Sequence, residues 1–236
     1  MPSDQTICLF DIDNTLLDND AIVDDLCRYL IKHVGQDAAD LYWKHFETLR
    51  RELGYADYLG ALQRSREEHP HDMRLLTVSR FMMSYPFAGK LFPGALEAVR
   101  HLQQWGLPVV LSDGDVVFQP VKIDKAGLCH LFDDRILIYI HKEKELHDIE
   151  RRYPARHYVL LDDKLHILAA VKRSWGSRVT TVHVRQGHYN HEPSTGYPPA
   201  DLTLDRIQDL LDCTQEDLLH PRDRPDLIYS EAVEPV

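Results

Sequence analysis

Two aspartates, Asp11 and Asp13, leave the first apolar run of the chain within Phe10-Asp11-Ile12-Asp13-Asn14-Thr15-Leu16. In an extended segment, residues two apart point the same way, so the two carboxylates converge. Like charges held that close require a cation or a proton. A hard dication with oxygen ligands, Mg²⁺, meets the requirement. Taken alone, the same residues also read as an Asn/Asp turn with Thr15 as a helix cap. Other polar groups follow other apolar runs, however. Ser112-Asp113-Gly114-Asp115 follows Val109-Val110-Leu111, His141-Lys142 follows 136–140, and Asp162-Asp163 follows 158–161. Unrelated surface polarity does not place carboxylates, a hydroxyl and a lysine behind successive apolar runs.

The fold must gather these groups. The runs at 7–10, 109–111, 136–140, 158–161, 179–184 and, more weakly, 202–204 are short and aliphatic or β-branched, as strands buried on both faces are. Helical periodicity over 95–105 stops at Gly106, and that over 164–175 stops at Gly176. Strand and helix alternating in this way predict an α/β fold with a parallel sheet. Ligands bind such sheets at the carboxyl ends of the strands, where the polar groups lie.

The segment 17–90 breaks the rhythm with helical patterns at 22–34, 38–53, 55–66 and 74–83, and with breakers at His69-Pro70 and Pro86. It predicts a helical insert directly after the first strand. Asp18-Asn19-Asp20 is its expected hinge and N-cap. Trp43, Phe46, Leu49 and Leu53 form its expected buried stripe, and its Arg and Tyr residues (Tyr42, Arg50, Arg51, Tyr55, Tyr58) are the candidates to face a ligand. His188 and His191 lack the further ligands that zinc needs and read as a surface loop. That loop, 185–191, follows the fifth strand and is a candidate rim for the site. The Pro-rich end, 221–236, is expected to be loosely ordered.

The chain has 236 residues, enough for one mid-sized domain or a core plus insert. Its 27 Lys+Arg against 38 Asp+Glu give a formal charge of −11. That balance argues against nucleic-acid partners and against a polybasic membrane anchor. There is no run of 18 apolar residues to span a membrane and no secretory signal pattern. Cys8, Cys27, Cys129 and Cys213 are scattered without a C-x-x-C pair, as in a reduced, cytoplasmic protein. Cys8 and Cys27 sit in apolar patterns and are expected in the core.

The stretch from Phe10 to Leu16 resembles the first motif of the haloacid dehalogenase-like (HAD) hydrolase superfamily. In the expected order, Ser112 resembles the second motif, Lys142 the third, and Asp162-Asp163 after Val159-Leu160-Leu161 the fourth. The resemblance covers about residues 6–184, and the insert stands where the family carries its helical cap. It implies a Rossmann-like parallel-sheet HAD core from 1–16 and 91–236, with a small α-helical cap domain over 17–90. It also implies a mechanism. Asp11 attacks phosphorus to form an aspartyl-phosphate, and Asp13 serves as general acid and then base. Asp11, the Asp13 backbone carbonyl and Asp162 hold Mg²⁺. Ser112 bonds a phosphoryl oxygen, and Lys142, rather than Lys144, offsets the carboxylates. Asn14, Thr15 and Gly114 are expected to bind substrate, Gly114 through a turn that presents amides. The family commonly has Gly where Leu161 stands, though some members carry a double Asp. Asp163 then ligates the metal through water or holds Lys142. A further Asp often found later in the motif is replaced by Ile167. The dehalogenases lack the second carboxylate, so Asp13 points to phosphoryl transfer. The expectation is a Mg²⁺-dependent phosphohydrolase acting on a small phosphorylated metabolite, as a monomer or homodimer. A phosphomutase-like phosphotransferase and a non-catalytic binding protein on the HAD scaffold are the alternatives.

Overall fold

A computed structural model describes residues 3–188 and 196–219. Strand β1 (Ser3–Phe10) is followed by four helices, α1 (Asn19–Val34), α2 (Gln36–Leu53), α3 (Tyr58–Glu68) and α4 (Leu75–Ser84). Then come α5 (Ala95–Gln103), β2 (Leu107–Asp113), α6 (Phe118–Lys125), α7 (Leu128–Leu131), β3 (Ile136–Tyr139) and α8 (Leu146–Arg152). β4 (Ala155–Asp162), α9 (Leu165–Trp175), β5 (Val179–Val184), β6 (Leu202–Leu204) and α10 (Gln215–Leu219) complete the order. The six strands form one sheet in the order β3-β2-β1-β4-β5-β6, and every neighbouring pair is parallel.

Burial on both faces explains the continuous apolar runs. On β1, Cys8 and Phe10 belong to one apolar layer, and Ile7 and Leu9 to the opposite one. The first layer continues through Ile12, Leu16 and Leu17 into the helical insert. Strands outlast their apolar runs because the ladders continue, with Ser112 opposite Ile138 and Asp113 opposite Tyr139. β3 in turn stops one residue early, at Tyr139, and Ile140 is exposed.

The insert leaves and rejoins the sheet through two segments lying side by side. Leu17 bridges Leu91, Asp18 N–H donates to the Lys90 carbonyl, and Phe92 N–H donates to the Leu16 carbonyl. α1 begins at Asn19, earlier than its periodicity suggests, because the Asp18 carboxylate accepts from Ala21 N–H. α3 begins later, at Tyr58, because Asp57 accepts from Gly60 N–H. The stripe on α2 is rotated from the expected one: Ala39, Tyr42, Phe46 and Leu49 are buried, Trp43 is half-buried and Leu53 is exposed. Cys27 is half-buried rather than in the core. All four cysteines are free thiols. No described helix is long and apolar enough to cross a membrane. His191 and 221–236 lie outside the described residues.

Candidate active site

The turn after β1 places the first group. Asp11 N–H donates to the Leu161 carbonyl at 3.0 Å, extending the ladder one residue past β1. The Ile12 carbonyl then accepts from Thr15, Leu16 and Leu17, closing a tight turn with Asn14 at φ 61°. A left-handed conformation suits Asn better than most residues. The Asn14 amide oxygen accepts from Asn19 and Asp20 N–H at 3.1 and 3.2 Å, capping the start of α1. Thr15 Oγ1 donates to Asp11 Oδ2 at 3.1 Å.

Two lysines divide the carboxylates. Lys142 Nζ lies 2.5 Å from Asp11 Oδ1 and 2.7 Å from Asp162 Oδ2, with all three side chains buried. Its backbone N–H donates to Asp113 Oδ1 at 2.8 Å, tying the loop after β3 to the end of β2. Lys144 points to solvent. Lys142 therefore holds Asp11 and Asp162, not Asp163. Burial alone would lower the Lys142 pKa, but Asp11, Asp162 and Asp113 hold it well above its ordinary value. Burial pushes Asp11 up to about 6 despite Lys142.

The second lysine, Lys122 on α6, is 1% exposed, and its Nζ lies 2.5 Å from Asp13 Oδ1 and 2.9 Å from Asn19 Oδ1. Gln119 donates to Asp13 Oδ2 at 3.3 Å and to the buried Ser112 hydroxyl at 2.9 Å. Neither Lys122 nor Gln119 stands out in the sequence. Their only signal is a helical spacing with Phe118 in a segment interrupted by Pro120. Gly114 packs so closely on Gln119 that a Cβ there would lie 2.9 Å from its side chain.

The remaining carboxylates form a cluster. Oxygens of Asp11, Asp162 and Asp163 lie within 4.8 Å of one another, and all three residues are buried. Among the described residues, neither Asp163 oxygen has a hydrogen-bond partner, and Asp162 Oδ2 has only the ion pair with Lys142. Leaving such groups without donors costs several kcal/mol per ion, and burial drives the Asp163 carboxyl well above its ordinary range. An all-oxygen, buried and under-satisfied set fits a hard dication. The Asp13 carboxylate stands outside this cluster, on Lys122.

Above the site lies a cavity of about 690 Å³ between the insert and the carboxyl ends of the strands. Asp13, Asn14, Gly114 and Gln119 line it from the sheet side, and Trp43, Arg50, Tyr55 and Tyr58 from the insert. Asp11, Ser112, Lys142 and Asp162 are buried and do not line it. Lys164, which the motifs do not mark, also reaches the cavity. Burial opposes its charge, but Asp163 and Asp11 raise its pKa. His188 from the loop after β5 reaches it as well. Its ring lies 2.6 Å from Asp20, and its N–H donates to the same carboxylate.

Residues 6–177 match the family model of haloacid dehalogenase-like hydrolases. A protein of Burkholderia xenovorans LB400, described as a haloacid dehalogenase-like hydrolase, has a similar crystal structure. It shares 55% identity and a TM-score of 0.85, over 89% of this chain and 99% of that one. The magnesium-bound HAD-hydrolase YfnB of Bacillus subtilis matches at 15% identity and a TM-score of 0.61, over 89% and 98% of the two chains. The L-2-haloacid dehalogenase of Xanthobacter autotrophicus matches at 15% identity and a TM-score of 0.61, over 87% and 96%. Both of these show likeness of fold. None of the curated proteins compared with the chain matches it.

Proposed function

Since this chain belongs to the haloacid dehalogenase-like hydrolases, we propose that it is a Mg²⁺-dependent phosphomonoesterase acting through an aspartyl-phosphate. The observation that carries this reading is the pairing of two differently held carboxylates at the end of β1. Asp11 is buried within the carboxylate cluster with Asp162 and Asp163, whereas Asp13 lines the cavity on Lys122 and Gln119. A carboxylate displacement of halide needs only the first.

Asp11 Oδ attacks phosphorus, and the bond from phosphorus to the alcohol oxygen breaks with its electron pair going to that oxygen. Asp13 gives the leaving oxygen a proton. Asp13 then takes a proton from water as the water oxygen attacks phosphorus. The bond between phosphorus and Asp11 breaks, regenerating the carboxylate and releasing phosphate. Lys122 and Gln119 hold the Asp13 carboxylate in place for both steps. Lys142 offsets the charge of Asp11 and Asp162 and fixes Asp11. Ser112, whose hydroxyl accepts from Gln119, is the residue this reading assigns to bond a phosphoryl oxygen. Asp11, Asp162 and Asp163 would hold Mg²⁺, which neutralises the phosphoryl oxygens when bound.

Release of phosphate from p-nitrophenyl phosphate, with Mg²⁺ and with EDTA, tests the assignment. The expected result is metal-dependent release that Asp11→Asn reduces at least a thousandfold, the scale of losing a nucleophile. Metal-independent halide release from 2-chloropropionate, without phosphate release, would replace this function with a dehalogenase.

A further inference from the structure

Resting on the phosphomonoesterase reading, we infer that the cavity selects phosphate monoesters whose alcohol carries an alkylammonium group. Among the described residues, seven carboxylates line the cavity against two lysine or arginine side chains, Arg50 and Lys164. Both cations already face acids. Arg50 lies 3.9 Å from Glu47, and Asp163 and Asp11 act on Lys164. Four of the acids are also engaged within the protein. Lys122 holds Asp13, His188 holds Asp20, the Lys142 N–H binds Asp113, and the Val117 and Phe118 N–H groups bind Asp115.

That leaves Asp24, exposed on the insert, with Glu47 also exposed there and sharing Arg50 at 3.9 Å, and Glu143 on the sheet side, 3.9 Å from the His141 ring. At the phosphate end, Lys142 and a dication held by Asp11, Asp162 and Asp163 would offset those carboxylates and leave the phosphate its positive partners. The end presented by α1 and α2 is negative. A ligand with an anion at one end and a cation at the other complements both, whereas a second carboxylate or phosphate meets like charge.

The walls add a second, independent feature. Trp43, Phe46, Tyr58 and Phe118 form a continuous aromatic series from insert to sheet, with successive centroids 5.3, 4.7 and 5.7 Å apart. All four line the cavity. Ring faces bind ammonium groups, quaternary ones included. This wall already receives one cation, since Lys122 Nζ lies 5.9 Å from the Phe118 centroid. The volume suits a small metabolite.

The test compares kcat/KM, with Mg²⁺ at about pH 8 to keep imidazole charge out of the comparison. The substrates are 2-aminoethyl phosphate, choline phosphate, glycerol 3-phosphate and phosphoglycolate, with p-nitrophenyl phosphate as the general reporter. Both ammonium esters should exceed phosphoglycolate about tenfold or more, the scale of one close charge contact. The paired variant Asp24→Asn/Glu47→Lys should shrink that ratio about tenfold. A ratio taken within one preparation does not depend on how much of the variant folds. Turnover of phosphoglycolate as fast as the ammonium esters, or a ratio unmoved by the variant, would overturn the inference while leaving the phosphomonoesterase intact. No phosphate from any ester, p-nitrophenyl phosphate included, would overturn both.

Discussion

Lys122 and Lys142 are each almost fully buried, yet they serve different carboxylates: Lys142 ties Asp11 to Asp162, and Lys122 holds Asp13. Lys122→Met leaves Asp13 without its cation. Because Asp13 is a quarter exposed, the cost falls below that of a fully buried pair, at roughly 1–3 kcal/mol. Urea denaturation should show that loss, and Asp13→Asn in the same background should recover most of it. Turnover of the single variant should fall about tenfold to a hundredfold, through the second step. Asp11 makes a pH prediction. Its folded pKa of about 6 stands above its ordinary 3.8. Between those values the folded protein keeps a proton that the unfolded chain releases. Its contribution to stability is therefore greatest in acid and is lost as pH rises through about 6. A dication competes with that proton, so Mg²⁺ should raise Tm more at about pH 7.5 than at about pH 5; a thermal melt at the two values checks this. Asp11, Asp13, Ser112, Lys142 and the Asp162-Asp163 pair were legible in the sequence because each ends an apolar run. Lys122 was not, because only the packing of α6 against the β1 turn brings it to Asp13.

At the scale of elements, the join between sheet and insert rests on a few close approaches. Gly187 has φ 70°, and a Cβ there would lie 2.4 Å from Asn14 Cγ, the side chain that caps α1. Gly187→Ala combines an unfavourable left-handed backbone with that clash. It should destabilise the fold by roughly 1–3 kcal/mol, measured by the same denaturation. Gly54, which ends α2 at φ 81°, would place a Cβ 2.5 Å from the His141 ring. α2 therefore abuts the loop that carries Lys142. The strands and the long helices of the insert were readable from period alone. α6 was hidden by Pro120 and by a lysine and a glutamine on its buried face. The stripe on α2 differs from the expected one by part of a turn because Trp43 packs against the core with one side open to the cavity and Leu53 faces solvent.

For the whole molecule, the surplus of acid is the property that most needs a structural account. A net charge of −11 repels an anionic substrate at a distance. The sheet order puts β1 between β2 and β4, so Asp11, Ser112 and Asp162 meet at one edge, and the chain crosses over once more to bring Lys142 beside them. Lys142 and a dication bound by Asp11, Asp162 and Asp163 would balance those three carboxylates locally, while the cavity above stays acidic. The parallel sheet followed from the strand-helix alternation. The charge asymmetry between the floor and the roof of the cavity did not, because it depends on which face of each insert helix turns inward. The central claim is that Asp11 takes the phosphoryl group. Asp13→Asn, mixed with Mg²⁺ and p-nitrophenyl phosphate, quenched in acid and digested, tests it by peptide mass spectrometry. The expected result is one phosphoryl group on the peptide that carries Asp11. A peptide left unmodified while the variant still releases p-nitrophenol in a burst would contradict it.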